Sequence, residues 1–115
     1  MADACLFCRI VAGEIPAKVV LETEECLAFR DVNPQAPLHV LVIPKRHVPS
    51  LDAAGPADAE LLGRLALVAA DVARREGVSE QGYRCVVNTN ADAGQTVFHV
   101  HLHLLAGRNL RWPPG

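Results

Sequence analysis

One short stretch of the chain, TVFHVHLHLLAG at residues 96–107, alternates histidine with apolar residues. A period of two is the side-chain repeat of a β-strand, in which alternate residues share a face. We therefore expect a strand over 97–105 with His99, His101 and His103 on one face. Residues of one face are about 6.6 Å apart, so the three imidazoles should span roughly 13 Å. The apolar residues of the other face should pack under a helix: Phe98, Val100, Leu102 and Leu104.

The remaining patterns predict four more strands and two helices. A long helix is expected within 54–78, with Pro56 in its first turn and Gly77 at its end. A short helix over 5–12 should end at Gly13. The other strands are predicted at 18–22, 26–32, 38–44 and 83–90, and the long helix should bury Leu61, Leu62, Leu65, Val68, Ala69 and Val72. These elements favour the α+β class, as an antiparallel five-stranded meander with one long helix.

The composition indicates a folded, soluble protein. The chain has 115 residues, one domain's worth, and 50% of them are hydrophobic, which is enough for a core. Its formal net charge of -2, with scattered basic residues, does not favour a nucleic-acid polymer as partner. No apolar run reaches the ~18 residues of a membrane span, and the N-terminus lacks the layout of a signal peptide. We expect a soluble, cytoplasmic protein without a membrane partner.

Three interpretations of the histidine row compete. The imidazoles could form a polar face in which the rings hydrogen-bond one another, but three titratable rings in register make this unfavourable. They could bind zinc, although the outer two are too far apart to share one metal without strain. They could instead supply a nucleophile, with flanking imidazoles that orient it and handle the proton of a leaving group.

The residues just before the row favour an anionic phosphate over a metal. Gly94 permits close backbone approach, while Gln95 and Thr96 add polar groups at the mouth of the strand. Asn88, near the end of the preceding predicted strand, could reach the same mouth. A metal cage would instead favour an acid or a thiolate at this place.

Four cysteines stand in the sequence: Cys5, Cys8, Cys26 and Cys85. Without an export signal, free or metal-bound thiols are favoured over disulfides. Cys26 and Cys85 lie in apolar strand patterns and are expected to be small buried residues. The pair in CLFC, Cys5 and Cys8, is compatible with a redox motif, a zinc half-site or chance.

Several motifs together resemble one known family. HVHLHLL has the His-x-His-x-His-x-x form of the histidine triad superfamily of nucleotide-binding proteins. GEIPAK, LAFRDVNPQAPLHVLVIPKRH, GYRCVVN, GQTVFHVHLH and the terminal RWPPG resemble its Hint branch over nearly the whole chain. The third histidine, His103, separates the chain from the nucleotidyltransferase branch. The resemblance implies one domain of this type over 1–115, with the family's α+β fold.

The resemblance also implies an enzyme, a purine nucleoside 5′-phosphoramidate hydrolase. His101 matches the family nucleophile, which forms a nucleotidyl-histidine and then releases a nucleoside monophosphate. His103 and Thr96 match positions that contact the phosphate and leaving group, and Thr96 replaces the serine common in this branch. His39 matches a histidine that supports the nucleophile, so the expected catalytic set is His101, His103, His39 and Thr96. No metal is expected in the chemistry itself.

The rest of the nucleotide site follows from the same resemblance. Asp31 matches the acid that binds the ribose hydroxyls, and a carboxylate can accept from both hydroxyls of a cis-diol. The apolar slot for the base is matched by Ile10, Ile15, Phe29 and Val32. The predicted nucleotide-binding residues also include Asn88, Gly94 and Gln95, which lie before the histidine row.

Relatives with an N-terminal Cys-x-x-Cys imply a structural zinc held by Cys5, Cys8, His47 and His99. The resemblance further implies a homodimer in which the long helices and one strand edge meet across a two-fold axis. Two other functions stay open: a dinucleoside polyphosphate hydrolase, and a zinc-stapled nucleotide-binding scaffold with incidental turnover.

Overall fold

The protein forms one five-stranded antiparallel sheet with one long and one short helix. A computed structural model describes residues 4–115. The helices are α1 (Leu6–Val11) and α2 (Ala59–Arg75), and the strands are β1 (Val19–Glu22), β2 (Cys26–Arg30), β3 (Leu38–Pro44), β4 (Tyr83–Val86) and β5 (Leu102–Ala106). This confirms the predicted class and element types. None of the helices in the described part is long and apolar enough to cross a membrane.

The strand order is β1-β2-β3-β5-β4, so the expectation of a simple meander is wrong for the last two strands. After β3 the chain crosses the sheet through α2, whose 17 residues extend about 25 Å. It then forms the edge strand β4 and returns through β5, between β3 and β4. This order places β5 next to the central strand β3, where Leu41 faces His103 in register.

The helix α2 covers one face of the sheet. Its buried side chains are Leu61, Leu65, Val68, Ala69, Val72 and Ala73, which confirms the predicted stripe apart from the only partly buried Leu62. A 3-10 turn over Pro56–Asp58 precedes it, so the proline stands just before the α-helix instead of within it. Gly77 follows the C-terminus with φ +76°, a conformation that glycine adopts without steric cost.

The other face of the sheet carries a second, smaller core. Phe7 of α1 packs there with Leu27 and Phe29 of β2 and with Leu41 and Ile43 of β3. Because both faces are covered at its centre, all seven residues of β3 are buried. The histidines of β3 and β5 lie on this second face, beside α1.

The fifth strand begins at Leu102, five residues later than predicted. The predicted burial of Phe98 is wrong, because its side chain is 50% exposed. Gln95 explains the late start: its buried amide accepts from the Asn90 N–H and donates to the carbonyls of Pro49 and Val97. These bonds hold the approach to the strand as a loop. Similarly, β4 ends at Val86 and not at residue 90.

The two cysteines predicted to be buried differ in the structure. Cys26 is fully buried in the core under α2, as expected. Cys85 is exposed, contrary to the prediction, because it lies on β4, an edge strand of the sheet. An apolar sequence pattern cannot distinguish an edge strand from a central one.

Candidate active site and metal centre

Two clusters of titratable side chains lie on the face of the sheet that α1 covers. One contains Cys5, Cys8, His47 and His99, and the other contains Asp31, His39 and His103. His101 lies between them in sequence. His99, His101 and His103 each have different hydrogen-bond partners.

The first cluster brings together four residues from three separate parts of the chain. Sγ of Cys5 is 3.4 Å from Nδ1 of His99, and Sγ of Cys8 is 3.3 Å from Nδ1 of His47 and 3.5 Å from Nδ1 of His99. The two Nδ1 atoms are 3.2 Å apart. The predicted ligand set is therefore assembled at one point, where α1 meets the segment after β3 and the approach to β5.

These separations fit a tetrahedral zinc ion. With ordinary zinc–sulfur and zinc–nitrogen bond lengths, a tetrahedron sets sulfur and nitrogen about 3.6 Å apart and two nitrogens about 3.3 Å apart. Two thiolates and two imidazoles are also a usual donor set for a closed structural site. Burial raises the pKa of the Cys8 thiol to about 11, so a cation bound here has to displace the thiol proton.

The imidazole of His99 is arranged to present Nδ1 to this cluster. Its Nε2–H donates to the carbonyl oxygen of Pro44 at 2.7 Å, which leaves Nδ1 without a proton. Burial lowers the pKa of His99, because the ring is completely enclosed. A neutral imidazole with a fixed tautomer is the form that a metal requires.

His101 has the orientation expected of a nucleophile. Its Nδ1–H donates to the main-chain carbonyl of His99 at 2.8 Å, so the lone pair is on Nε2. Among residues 4–115, Nε2 has no hydrogen-bond partner, and no fully buried side-chain nitrogen or oxygen lacks one. Nε2 of His101 is therefore not fully buried, although only 8% of the residue as a whole is exposed.

Phe7 was not singled out in the sequence, yet it contacts His101. Its ring lies edge-on to His101 at 5.1 Å between centroids, to His99 at 5.9 Å and to Phe29 at 5.7 Å. The residue stands between the two cysteines of CLFC, so the same short helix supplies two thiols and this aromatic contact. Its aromatic character inside the Cys-x-x-Cys motif was the available signal.

His39 forms a hydrogen bond with His103, and its support of His101 stays a prediction. Nε2 of His39 is 2.9 Å from Nδ1 of His103 and 3.4 Å from Oδ2 of Asp31. Burial lowers the pKa of His103 to about 4, which keeps that ring neutral at pH 7. The ring centroids of His101 and His103 are 5.1 Å apart, so the hydrogen-bond partner of His39 lies beside His101.

The other predicted phosphate-side residues occupy the loop before β5. Gly94 has φ +86° and ends the 3-10 turn over Ala91–Ala93. Thr96 is exposed and lines a groove of about 460 Å³ with Leu6, Val97 and Phe98 among its walls. Asn88 is half-buried after β4. Gln95 differs from the prediction, since its amide is used in the three internal bonds described above.

The predicted nucleoside residues differ in accessibility. Asp31 accepts the Asn33 N–H at Oδ1 and lies half-buried. Val32 is fully exposed, Ile10 and Ile15 are half-buried, and Phe29 is only 4% exposed. Phe29 thus belongs to the core beneath the predicted slot, while the two isoleucines and Val32 offer open apolar surface.

Comparison with known proteins agrees with this arrangement. A family model described as the HIT domain matches residues 12–110. An uncharacterized HIT-like protein of Synechocystis is 55% identical over 115 residues, covering 100% of both chains. A crystal structure of a HIT family hydrolase from Legionella pneumophila is 53% identical, with a TM-score of 0.94 over 96% of this chain and 99% of that one.

A second solved structure bears on the metal cluster. It is a zinc-bound histidine triad family protein from Mycobacterium smegmatis, 36% identical, with a TM-score of 0.80 over 95% of this chain and 78% of that one. The family model and the full-length relatives agree on one assignment, and the chain belongs to the HIT domain family.

Proposed function

We propose that this protein hydrolyses purine nucleoside 5′-phosphoramidates through a nucleotidyl-histidine on His101. The observation that carries the proposal is the hydrogen bond from His101 Nδ1–H to the His99 carbonyl, which leaves Nε2 as an accessible nucleophile. The similarity to a HIT family hydrolase supports hydrolysis as the reaction class. The purine preference rests on the resemblance to the Hint branch.

In the first step, Nε2 of His101 attacks phosphorus and the P–N bond breaks. The leaving nitrogen takes up a proton from solvent and departs as an amine, and the His99 carbonyl stabilises the charge that develops on the imidazole. In the second step, water attacks phosphorus and gives up a proton to solvent, the N–P bond to His101 breaks, and a nucleoside monophosphate is released. The ribose would be held by Asp31 and the leaving group would lie near Thr96.

The charges at the site favour this substrate over a dinucleoside polyphosphate. Among residues 4–115, no lysine or arginine side chain forms a hydrogen bond or ion pair with His39, His101 or His103. A nucleoside phosphoramidate carries a single negative charge at phosphorus, whereas a polyphosphate carries several. Histidine rings without a bonded cation suit the singly charged ester better.

A turnover assay separates the proposed functions. Adenosine 5′-phosphoramidate should be hydrolysed to adenosine monophosphate and ammonia far faster than diadenosine polyphosphates of equal concentration. Faster cleavage of the polyphosphates would favour the rival hydrolase. Tight binding of adenosine monophosphate with no turnover of either substrate would favour a binding or scaffold protein.

We also propose that Cys5, Cys8, His47 and His99 hold a structural zinc ion. The four donor atoms lie within 4.8 Å of one another, four of their separations suit a tetrahedron, and a zinc-bound relative supports the assignment. The metal would tie α1 to the sheet and contribute directly to the free energy of folding. Elemental analysis of reduced protein purified without chelator should find close to one zinc per chain, and a metal content near zero would refute the site.

A homodimer through β4 and α2 is the third element of the proposal. β4 is an edge strand with Tyr83 and Cys85 exposed, and Leu67 on α2 is 70% exposed. Pairing of two such edges would protect unpaired backbone groups and cover this apolar surface. Sedimentation should give twice the mass of one chain, and Tyr83→Glu should shift the protein towards monomer.

A further inference from the structure

The imidazole of His39 is hydrogen-bonded at both nitrogens, and its partners fix its tautomer. The main-chain N–H of Gln35 lies 3.0 Å from Nδ1 of His39, while Nε2 lies 2.9 Å from Nδ1 of His103. A backbone N–H can only donate, so Nδ1 of His39 has to accept and carries no proton. Burial also lowers the pKa of His39, and the neutral ring therefore has its hydrogen on Nε2.

This tautomer determines the state of the next ring. Nε2–H of His39 points to Nδ1 of His103, which must accept, so the hydrogen of neutral His103 is on Nε2. Among the described residues, Nε2 of His103 has no hydrogen-bond partner and is not fully buried. It is thus a free donor beside His101, whose ring centre is 5.1 Å away.

A metal ion is the competing explanation for this cluster, because Asp31, His39 and His103 bring three donor atoms together. Coordination through Nε2 of His39 would require the ring's hydrogen to move to Nδ1. That hydrogen would then face the Gln35 N–H, with two donors opposed at 3.0 Å. The Gln35 amide therefore favours a hydrogen-bonded chain of imidazoles over a metal site.

We propose that the main-chain amide of Gln35, acting through His39, fixes His103 as the Nε2–H tautomer that donates a hydrogen bond to the phosphoryl group attacked by His101. This inference rests on the proposed hydrolase function. Gln35 and His39 are positioning residues, and His103 contacts the phosphoryl oxygen. The chain of donors ends at an amide that cannot accept a proton, so it holds His103 in one state and does not conduct protons.

Nitrogen NMR of protein labelled with 15N-histidine tests the tautomers without any substrate. In the wild type at pH 7, Nδ1 of both His39 and His103 should have the chemical shift of an unprotonated nitrogen. A scalar coupling across the hydrogen bond should connect Nε2 of His39 with Nδ1 of His103. A protonated Nδ1 on His103 would overturn the proposal.

Two variants of His39 separate this positioning role from a merely structural one. His39→Gln places an amide N–H near the former Nε2 and should keep His103 as the Nε2–H tautomer, with kcat within a few-fold of wild type. His39→Leu removes the donor, should let the other tautomer of His103 appear, and should lower kcat by about tenfold to a hundredfold with little change in KM. Equal tautomer populations and equal kcat in the two variants would refute the proposal.

The same experiment distinguishes failure of this inference from failure of the proposed function. If the wild type shows the predicted tautomers but hydrolyses no phosphoramidate, the tautomer assignment stands and the function is wrong. If the wild type turns over but His103 is protonated on Nδ1, the function stands and the positioning role is wrong. Should His39→Leu fail to fold, the wild-type spectrum alone decides.

Discussion

The main-chain carbonyl of His99 holds Nδ1 of His101 at 2.8 Å, while the imidazole of the same His99 is the fully buried member of the cysteine–histidine cluster. One residue therefore joins the candidate metal centre to the candidate nucleophile. Its side chain fixes where α1 attaches, and its backbone fixes the tautomer of the next histidine in the row. Loss of the metal should disturb catalysis through this residue without removing any reacting group.

Replacement of both Cys5 and Cys8 by serine should remove the metal, lower the melting temperature and leave some turnover. If zinc is present at a thousandfold its dissociation constant, its loss costs about 4 kcal/mol. For a domain of this size that corresponds to a fall of roughly 15 °C. Calorimetry and elemental analysis measure both effects, and the exposed Cys85→Ser is the matched control that should change neither. Unchanged stability after loss of the metal would contradict a structural role.

Phe7→Ala should destabilise the protein and slow turnover, because the ring is 5% exposed and touches His101. Removal of a buried phenylalanine ring typically costs about 3–5 kcal/mol in unfolding free energy. Leu6→Ala, on the exposed side of the same helix, should cost much less. Urea denaturation and kcat would be compared for the two variants, and equal effects would refute the packing role of Phe7.

The stability of the protein should fall as pH drops from about 6.5 towards 4, partly because of His103. Burial depresses the pKa of this ring to about 4 in the folded state, from 6.5. Between these two pKa values the unfolded chain binds more protons than the folded one. The stability that the neutral ring contributes is therefore complete above the unfolded pKa and is lost as pH falls towards the folded pKa. The full difference amounts to roughly 3 kcal/mol.

This pH effect should be measured in the background of Cys5→Ser and Cys8→Ser, so that acid release of a metal does not contribute. His103→Gln in that background should have a visibly shallower dependence of unfolding free energy on pH between 6.5 and 4. A parallel dependence in the presence and absence of His103 would show that its ring is not the group responsible.

Two glycine substitutions should have opposite effects on stability. Gly107 has φ +95°, and a Cβ there would lie 2.7 Å from Cβ of Pro37, so Gly107→Ala should destabilise by about 1–3 kcal/mol. Gly63 lies inside α2 with open space around it, so Gly63→Ala should stabilise by about 0.5–1 kcal/mol. Chemical denaturation of both variants measures the signs, and a neutral Gly107→Ala would contradict the described turn.

The sequence predicted those features that depend on periodicity and residue type. β3 was predicted at its exact bounds because a run that is apolar except for His39 suits a central strand covered on both faces. The four cluster residues Cys5, Cys8, His47 and His99 were also predicted, although their assignment came from family resemblance. The start of β5 was missed, since the alternating pattern continues through a segment that Gln95 holds as a loop.

The relationships within the site were less predictable. The partner of His39 depends on strand register, which pairs Leu41 with His103 and brings His39 to His103 diagonally. The Gln35 amide that fixes His39 is a main-chain group, and every residue except proline has one, so it leaves no sequence signal. Cys85 was predicted to be buried because the local apolar pattern of β4 does not reveal the strand order, which makes β4 an edge strand.

Nucleophilic attack by His101 is tested most directly by rapid quenching of the enzyme during turnover of adenosine 5′-phosphoramidate, followed by peptide mass spectrometry. An adenylyl group should be found on His101 in the wild type. In His101→Ala we expect no adduct, a loss of several powers of ten in kcat, and nucleotide binding that largely persists. An adduct on another residue, or a His101→Ala variant that retains more than about a tenth of the wild-type kcat (~1.4 kcal/mol in barrier), would contradict nucleophilic attack by His101.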